Sequence, residues 1–322
     1  MGYLTVGGVP EPFNLPLDLV NEKNYLRNGG IDKVLWRKVL EGTAALVSSE
    51  PFFFDSELTH SQIEGLHDGS FHVVTALTEC AVAAALKDSS LQIVGSYVDS
   101  SLNWAVITSA QQEKFHNITD LGSSPVRVGI SRYGSGSHLM PLIMAKQESW
   151  RNLPEFVVCN NFAGLRQAVL SGTADFSMWE WFMTKPYVEE GLLKFIGNVP
   201  TPWPSVCFLT KKNVINNFKG ELFSALCSIR ETACEFRGNV SNVNTEQFAT
   251  SVDKIVSQFS FKPQDAKSWL ESVRFSRDGL VSVSTVQTIA QALCEAGIVD
   301  RRIPDPSYVV YPTFLSSFDR HV

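Results

Sequence analysis

The sequence predicts an α/β protein built as two similar lobes, and three observations support this fold class. The chain has 322 residues, more than one typical domain, and 44% of them are hydrophobic, enough for a sizeable core. Apolar strands alternate with amphipathic helices, the pattern of helices layered on sheets. A unit of helix, glycine turn, strand and glutamate occurs at residues 63–79 and again at residues 165–180. Because α/β proteins repeat such units in any case, this echo alone leaves the two-lobe interpretation open.

Short apolar stretches rich in β-branched or aromatic residues are the predicted strands. They cover residues 3–6, 34–38, 73–77, 93–98, 105–108, 126–130, 156–158, 176–178 and 206–210. Helices are predicted where an apolar periodicity begins at a hydroxyl or proline residue and stops near a glycine. They cover residues 137–150, 165–170, 214–237, 245–259 and 284–296, and Pro263 opens one more.

Composition and charge exclude several classes of protein. Lys and Arg number 27 against 33 Asp and Glu, a net charge of −6, so no fold-wide basic surface for nucleic acid is expected. The longest apolar run, residues 80–86, is far shorter than the roughly 20 residues of a membrane span. The first 20 residues lack the basic start and apolar stretch of a secretory leader. We therefore expect a cytoplasmic monomer with free thiols and no membrane contact.

The segment at residues 126–140 carries the strongest chemical signal. A strand runs into a Gly/Ser turn and then into a helix, whose first N–H groups and partial positive charge suit a carboxylate, sulfonate or phosphate. Glycines at 134 and 136 allow backbone angles that other residues resist, so that N–H groups can converge. The candidate anion ligands are Ser131, Arg132, Ser135, Gly136 and Ser137. A flexible loop with a capping serine is the alternative.

Aromatic residues mark the other candidate parts of a site. Trp179 and Glu180 follow a strand, and aromatic walls with one placed charge are typical of small-molecule pockets. An aromatic cluster that only covers core is the alternative. Trp203 stands between two prolines in residues 201–205, a stiff extended segment suited to a crossing between lobes, and residues 95–104 have similar character. Both segments are alternatively ordinary surface loops.

No catalytic or metal-binding constellation is predicted. The six histidines, at positions 60, 67, 72, 116, 138 and 321, show no clustered spacing and are expected at the surface or at caps. Cys227 and Cys234 lie two turns apart on one helix face, where core packing is expected. We therefore assign no catalytic residue, metal or cofactor.

Five segments in this order carry a family resemblance. They are Gly8-Val-Pro-Glu-Pro-Phe13, Ala76-Leu-Thr-Glu79, Ile130-Ser-Arg-Tyr-Gly-Ser-Gly-Ser-His-Leu-Met140, Met178-Trp-Glu-Trp-Phe182 with Thr184-Lys185, and Thr201-Pro-Trp-Pro-Ser205. Together they resemble the eukaryotic, largely fungal branch of the type 2 periplasmic-binding-protein superfamily, which includes thiamine-pyrimidine-synthase-like proteins. The match spans about residues 3 to 210.

The resemblance implies a two-lobed periplasmic-binding-protein-like type 2 fold with two crossing strands and a ligand between the lobes. Lobe I would comprise residues 1–103 and 205–322, and lobe II residues 104–204. The family pattern maps onto ligand-binding residues Glu11, Phe13, Thr78, Glu79, Asn103, Trp104, Ser131, Arg132, Ser135, Gly136, Ser137, Trp179, Glu180 and Trp203. The chain departs from the pattern at Pro12, where the family often has His, and at Glu41-Gly-Thr-Ala44, where the family has a Gly-Gly-Thr-Gly turn.

Two functions follow from the resemblance. The first is a cytosolic protein that closes its lobes around a small anionic or zwitterionic metabolite resembling a thiamine precursor, a sulfonate or an amino acid. The pair Glu79 and Glu180 would then select an amine or ring N–H. The second is an enzyme of thiamine-pyrimidine biosynthesis. Against it, the chain has Thr78-Glu79 where those enzymes carry a sacrificial His, and it lacks their cysteine-rich loop before the second crossing strand.

Overall fold

Two mixed sheets form the centres of two lobes. The structure, a computed structural model, describes residues 2–22, 30–38, 62–238, 245–299, 303 and 305–316. The first sheet contains β1 Tyr3–Gly8, β2 Lys33–Lys38, β3 Val73–Leu77, β4 Leu91–Val98 and β10 Val206–Lys211, in the order β2-β1-β3-β10-β4. The second contains β5 Asn103–Ser109, β6 Arg127–Ile130, β7 Glu155–Val158, β8 Phe176–Glu180 and β9 Leu193–Pro200, in the order β7-β6-β8-β5-β9. We call the first sheet and its helices lobe I, and the second sheet and its helices lobe II.

Both sheets follow one pattern. In lobe I, β1 is parallel to β2 and β3, and β10 is inserted antiparallel between β3 and β4. In lobe II, β6 is parallel to β7 and β8, and β5 is inserted antiparallel between β8 and β9. The α/β class and the two-lobed arrangement predicted from the sequence are thus confirmed.

Helices cover both sheets. They are α1 Pro16–Leu19, α2 Gln62–Asp68, α3 Thr78–Lys87, α4 Ile118–Leu121, α5 Gly136–Gln147, α6 Phe162–Leu170, α7 Trp181–Glu189, α8 Lys212–Arg237, α9 Glu246–Phe259, α10 Pro263–Ser272 and α11 Val283–Glu295. Side-chain oxygens of Asn161, Thr245 and Ser282 cap α6, α9 and α11 by accepting backbone N–H bonds. A last short pair joins β11 Val281–Ser282 to β12 Leu315–Ser316. In the part of the chain that the structure describes, no helix combines the length and apolarity that crossing a membrane requires.

Every predicted strand overlaps an observed one, with 126–130 beginning one residue before β6, but β9 was missed by the prediction. Its sequence, LKFIGNVP, contains residues typical of turns at Gly197, Asn198 and Pro200. β9 is an edge strand, and its register with β5 shifts by one residue between Val106 and Ile107. The pairing with β5 therefore defines this strand, and its own composition does not.

The chain passes from the first sheet to the second at residues 99–102 and returns at residues 201–205. The two passages are hydrogen-bonded to each other: Leu102 N–H donates to Thr201 Oγ1 at 3.0 Å, and Ser101 Oγ donates to Thr201 O at 2.6 Å. Ser205 N–H donates to Ser100 O at 3.1 Å. Two adjacent extended segments thus form the covalent connection between the lobes, and Pro202 and Pro204 stiffen the second.

Candidate ligand-binding site

A cavity lies between the two lobes at the carboxyl ends of the parallel strands, where open α/β sheets bind their ligands. Its space between atoms amounts to about 640 Å³, including the part that opens to solvent. Lobe I supplies Val9, Glu11, Phe13, Gln62, Thr75, Leu77 and Cys80; lobe II and the first passage supply Leu102, Trp104, Ser131, Arg132, Ser135, Gly136, Ser137, Trp179 and Glu180. Ten of the fourteen residues implied by the resemblance are in this wall.

The lobe II side of the cavity contains the predicted strand–turn–helix segment. Gly136 and Ser137 occupy the first two positions of α5, where no residue four positions earlier accepts their N–H groups. Neither N–H has a hydrogen-bond partner in the described ranges. Arg132 lines the same side of the cavity. This side of the cavity thus suits an anionic ligand group, because it offers two backbone N–H donors, the start of a helix and a guanidinium.

The three serines of this turn bond to one another as well as facing the cavity. Ser137 Oγ accepts from the backbone N–H of Ser131 at 2.9 Å, and Ser135 Oγ donates to the carbonyl of Arg132 at 2.8 Å. Ser137 Oγ also lies 2.9 Å from Ser135 Oγ and 3.1 Å from Ser131 Oγ. Each hydroxyl has one proton, and Ser135 uses its own on the carbonyl, so Ser137 donates to Ser135 and Ser131 donates to Ser137. The hydroxyls therefore serve mainly to fix the turn, and fewer of them donate outward than the sequence suggested.

The two glycines of the turn have different roles, which corrects the expectation that both supply unusual backbone angles. Only Gly134 has a positive φ, +82°, in open space. Gly136 lies within the helix, but a Cβ there would stand 2.5 Å from Leu77 Cδ1 and 2.7 Å from the Trp104 ring. Leu77 belongs to lobe I, so Gly136 is required for close approach of the two lobes.

Two buried carboxylates line the cavity, one from each lobe. Glu11 follows β1 and begins a 3-10 turn, Pro12–Asn14, to which its side chain gives no capping bond. Glu180 ends β8 and caps α7, its Oε2 accepting the Met183 N–H at 2.7 Å. Burial raises the pKa of Glu180 to about 7. Burial, and secondly the charge of Glu180, raises the pKa of Glu11 to about 8.

Aromatic side chains enclose the rest of the cavity. Trp104 and Trp179 meet edge to face, with ring centroids 6.4 Å apart, and Phe162 stacks on Trp179 at 5.1 Å. Trp181 instead stacks on Phe195 of β9 at 3.9 Å. Because the strand stops at Glu180 and a helix begins, Trp179 and Glu180 both contribute to the cavity wall, which the alternation of a continuing strand would not allow.

Four predicted ligand residues lie outside this wall. Glu79 is fully buried in the first turn of α3, where its Oε2 accepts from Trp203 Nε1 at 2.9 Å, and burial raises its pKa to about 7. Thr78 is also buried, and its backbone N–H donates to Ser205 O. Asn103 Oδ1 accepts from Asn198 Nδ2 at 2.7 Å.

The repeated unit at residues 63–79 and 165–180 aligns Glu79 with Glu180, but the ends of the two strands do not. Strand β3 ends at Leu77 and β8 ends at Glu180, so the structural counterpart of Glu180 is Leu77. Glu79 lies two residues further on, inside a helix, and is turned away from the cleft toward the second passage. Among the described residues of lobe I, Glu11 is the acid that lines the cavity, and Glu79 does not line it.

Sequence reasoning also missed residues that shape the site. Among the described histidines, His138 is buried, and burial lowers its pKa, so that the neutral ring accepts from the Gly134 N–H at Nδ1, 3.1 Å away. Gln62 Nε2 donates to Thr75 O at 2.6 Å, and Cys80 lines the wall. Gln62 belongs to none of the quoted motifs, so a single sequence gives no signal for it. The turn Glu41-Gly-Thr-Ala44, His60 and His321 lie outside the described residues.

No group of His, Cys, Asp and Glu in the described ranges has the arrangement of a metal site. All six cysteines are free thiols. Burial raises the pKa of Cys207 well above its usual range. This thiol lies beside Thr78 and Glu79 behind the cavity, so it stays protonated and serves as core.

The fold and the interlobe cavity define a protein with the two-lobed periplasmic-binding-protein fold. A family model described as Ca3427-like PBP matches residues 104–199. The conserved Candida albicans CA3427 gene product, which has the generic periplasmic-binding-protein fold, superposes with a TM-score of 0.79 at 22% identity, over 100% of this chain and 98% of its own.

Two bacterial binding proteins share the fold at lower identity. The alkanesulfonate-binding protein SsuA from Xanthomonas axonopodis pv. citri, bound to MOPS, has a TM-score of 0.69 at 14% identity, over 97% of this chain and 98% of its own. PhnD1 from Prochlorococcus marinus, in complex with methylphosphonate, has a TM-score of 0.56 at 13% identity, over 92% and 99%. No curated protein sequence matches significantly.

Proposed function

We propose that this protein is a cytoplasmic binding protein that encloses a small anionic or zwitterionic metabolite between its lobes by hinge closure. The observation that carries the proposal is a cavity lined by both lobes, with Arg132 and the first N–H groups of α5 on one side and Glu11 on the other. The two bonded passages at residues 99–102 and 201–205 provide a hinge of two strands.

The charge of the ligand is inferred from the donors and from the neighbours in fold. An alkanesulfonate and a methylphosphonate are the ligands named for SsuA and PhnD1. Both compounds present a tetrahedral oxyanion, which a helix start with open N–H groups accommodates. We extend this ligand class to the present protein because its turn offers hydrogen-bond donors and a guanidinium that suit such a group.

Calorimetry tests the proposal with methanesulfonate, methylphosphonate, sulfate and any small molecule released from the purified protein. A charge-assisted hydrogen bond contributes about 1.5–3 kcal/mol, so Arg132→Ala should weaken anion binding by about ten- to a hundred-fold. Lys146→Ala removes the same charge from an exposed position of the same helix and serves as the control. Equal binding by parent and Arg132→Ala would place the anion elsewhere.

The enzymatic alternative has a separate test. Thiamine-pyrimidine synthesis would yield a pyrimidine product when the protein is incubated with pyridoxal phosphate and iron. We expect none, because residues 78 and 79, where those enzymes carry the consumed histidine, are Thr and Glu and face away from the cavity. A pyrimidine product would overturn the assignment as a binding protein.

A further inference from the structure

We propose that Glu11 and Glu180 together bind a positively charged group of the ligand, an ammonium or a protonated ring nitrogen, so that the ligand is a zwitterion. This inference rests on the proposed function, because it identifies the second charged group of the molecule that the cleft encloses. Its basis is the pairing of two buried acids from two lobes in the wall of one cavity.

The two carboxylates approach the cavity from opposite elements. Glu11 comes from the carboxyl end of β1, 8% exposed, and Glu180 from the carboxyl end of β8, 6% exposed. Glu180 has one oxygen engaged with the Met183 N–H, which leaves its other oxygen for a partner in the cavity. Glu11 makes no side-chain hydrogen bond within the described residues. Both groups therefore retain acceptor capacity directed at a ligand.

Among the described residues, neither carboxylate takes part in an ion pair. The charge that acts most on Glu11 is the like charge of Glu180, which with burial raises the pKa of Glu11. Buried charges in proteins are paired or neutralised, and a second negative charge does neither. A ligand cation between them can donate hydrogen bonds to both acids and offsets one of their two negative charges, a charge that closure without the cation must remove by protonation.

The surroundings of the pair also suit a cation. Trp104 is the strand partner of Glu180, and both Trp104 and Trp179 line the same cavity as the acid. Aromatic rings attract cations through their negative faces and exclude water from the ion pair. With Arg132 and the α5 start in the same wall, the cavity holds complementary charges for both ends of a short zwitterion.

Matched probe pairs test the inference by calorimetry on the full chain at pH 7.5. Taurine is compared with isethionate, in which a hydroxyl replaces the ammonium, and 2-aminoethylphosphonate with ethylphosphonate. We expect each zwitterion to bind at least ten-fold more tightly than its partner. Glu11→Gln and Glu180→Gln should each reduce that ratio several-fold, and the amide oxygen of the second variant still accepts the Met183 N–H. Glu190 is an exposed acid just after α7, the helix that Glu180 caps, and Glu190→Gln should leave the ratio unchanged.

The outcomes separate this inference from the proposed function. If isethionate and ethylphosphonate bind as tightly as the zwitterions, or if both Gln variants keep the parental ratio, the cation site is wrong while anion binding stands. If no probe binds, the molecules released from the denatured protein are identified by mass spectrometry. A released molecule without a basic nitrogen overturns the inference. A released molecule with a basic nitrogen supports it, provided that the Glu11→Gln variant no longer retains that molecule. If nothing binds and nothing is released, the proposed binding function fails as well.

Discussion

Gly136→Ala should prevent the lobes from closing while leaving every charge in the site unchanged. The added Cβ would lie 2.5 Å from Leu77 Cδ1, across the cleft, and 2.7 Å from two atoms of the Trp104 ring in its own lobe. Carbon atoms in favourable contact are about 3.5–4.0 Å apart, so both neighbours must move by about 1 Å. The strands of both residues are held in their sheets, so the contacts are relieved by a new Leu77 rotamer or by rotation of one lobe away from the other.

The magnitude follows from the cost of inserting a methyl group into a packed contact. Such substitutions cost about 1–3 kcal/mol, and every 1.4 kcal/mol is a factor of ten in affinity. A ligand that binds only the closed form should therefore bind about 5- to 150-fold more weakly to Gly136→Ala. Part of the strain, against Trp104, is present in the open form too and should lower the free energy of unfolding.

The assay combines calorimetry with thermal unfolding, and a second substitution separates the two contacts. Leu77→Ala removes the atom on the far side of the cleft, so the double variant Gly136→Ala/Leu77→Ala should regain most of the lost affinity relative to Leu77→Ala alone. It should not regain the stability lost against Trp104. Gly134→Ala is a further control, because a Cβ there meets nothing within 4 Å and only the positive φ is strained. Parental affinity in Gly136→Ala, or no coupling with Leu77, would refute the reasoning.

Three further predictions concern charge, the core and closure. Glu11, Glu79 and Glu180 have raised pKa values of about 8, 7 and 7 in the folded protein, against an ordinary 4.5, so the unfolded chain ionises first. The melting temperature of the unliganded protein should therefore fall as the pH rises from 5 to 8, and a flat profile over that range would contradict this. Trp203→Phe removes the hydrogen-bond donor to Glu79 and should lower the free energy of unfolding by about 1–3 kcal/mol at pH 8. The loss should be smaller at pH 5, where Glu79 is protonated. Equal losses at both pH values would show that only packing matters. Small-angle scattering should give a smaller radius of gyration when the cleft is saturated, and an unchanged radius would rule out hinge closure.

Most of the fold could be predicted because buried strands and helix faces consist mainly of apolar residues, which the sequence shows directly. The central strands read as apolar runs, and the helices begin at residues whose side chains cap them, such as Thr245 and Ser282. β9 was not predicted because its own residues favour turns, and it is a strand because it pairs with β5. Pairing between strands distant in sequence is the information that local patterns lack.

The site was less accessible to prediction than the fold. The turn at residues 131–137 was visible because glycines, serines and an arginine follow a strand, but the role of Gly136 depends on Leu77, a contact between lobes. Glu79 and Glu11 show the other limit. A helix turns about 100° per residue, so beginning α3 at Thr78 is enough to direct Glu79 away from the cleft. Glu11 faces the cleft because a turn follows β1.

The position of β10 has a consequence for how the chain is made. Strands β3 and β4 are not neighbours in the first sheet; they are joined through β10, which ends at residue 211. During synthesis the second sheet, whose strands all lie between residues 103 and 200, is complete before the strand that completes the first emerges. Until then β3 and β4 each present an unpaired edge, the kind of surface that associates wrongly with other chains. Lobe I therefore begins first in the chain but is completed last, after all strands of lobe II have been synthesised.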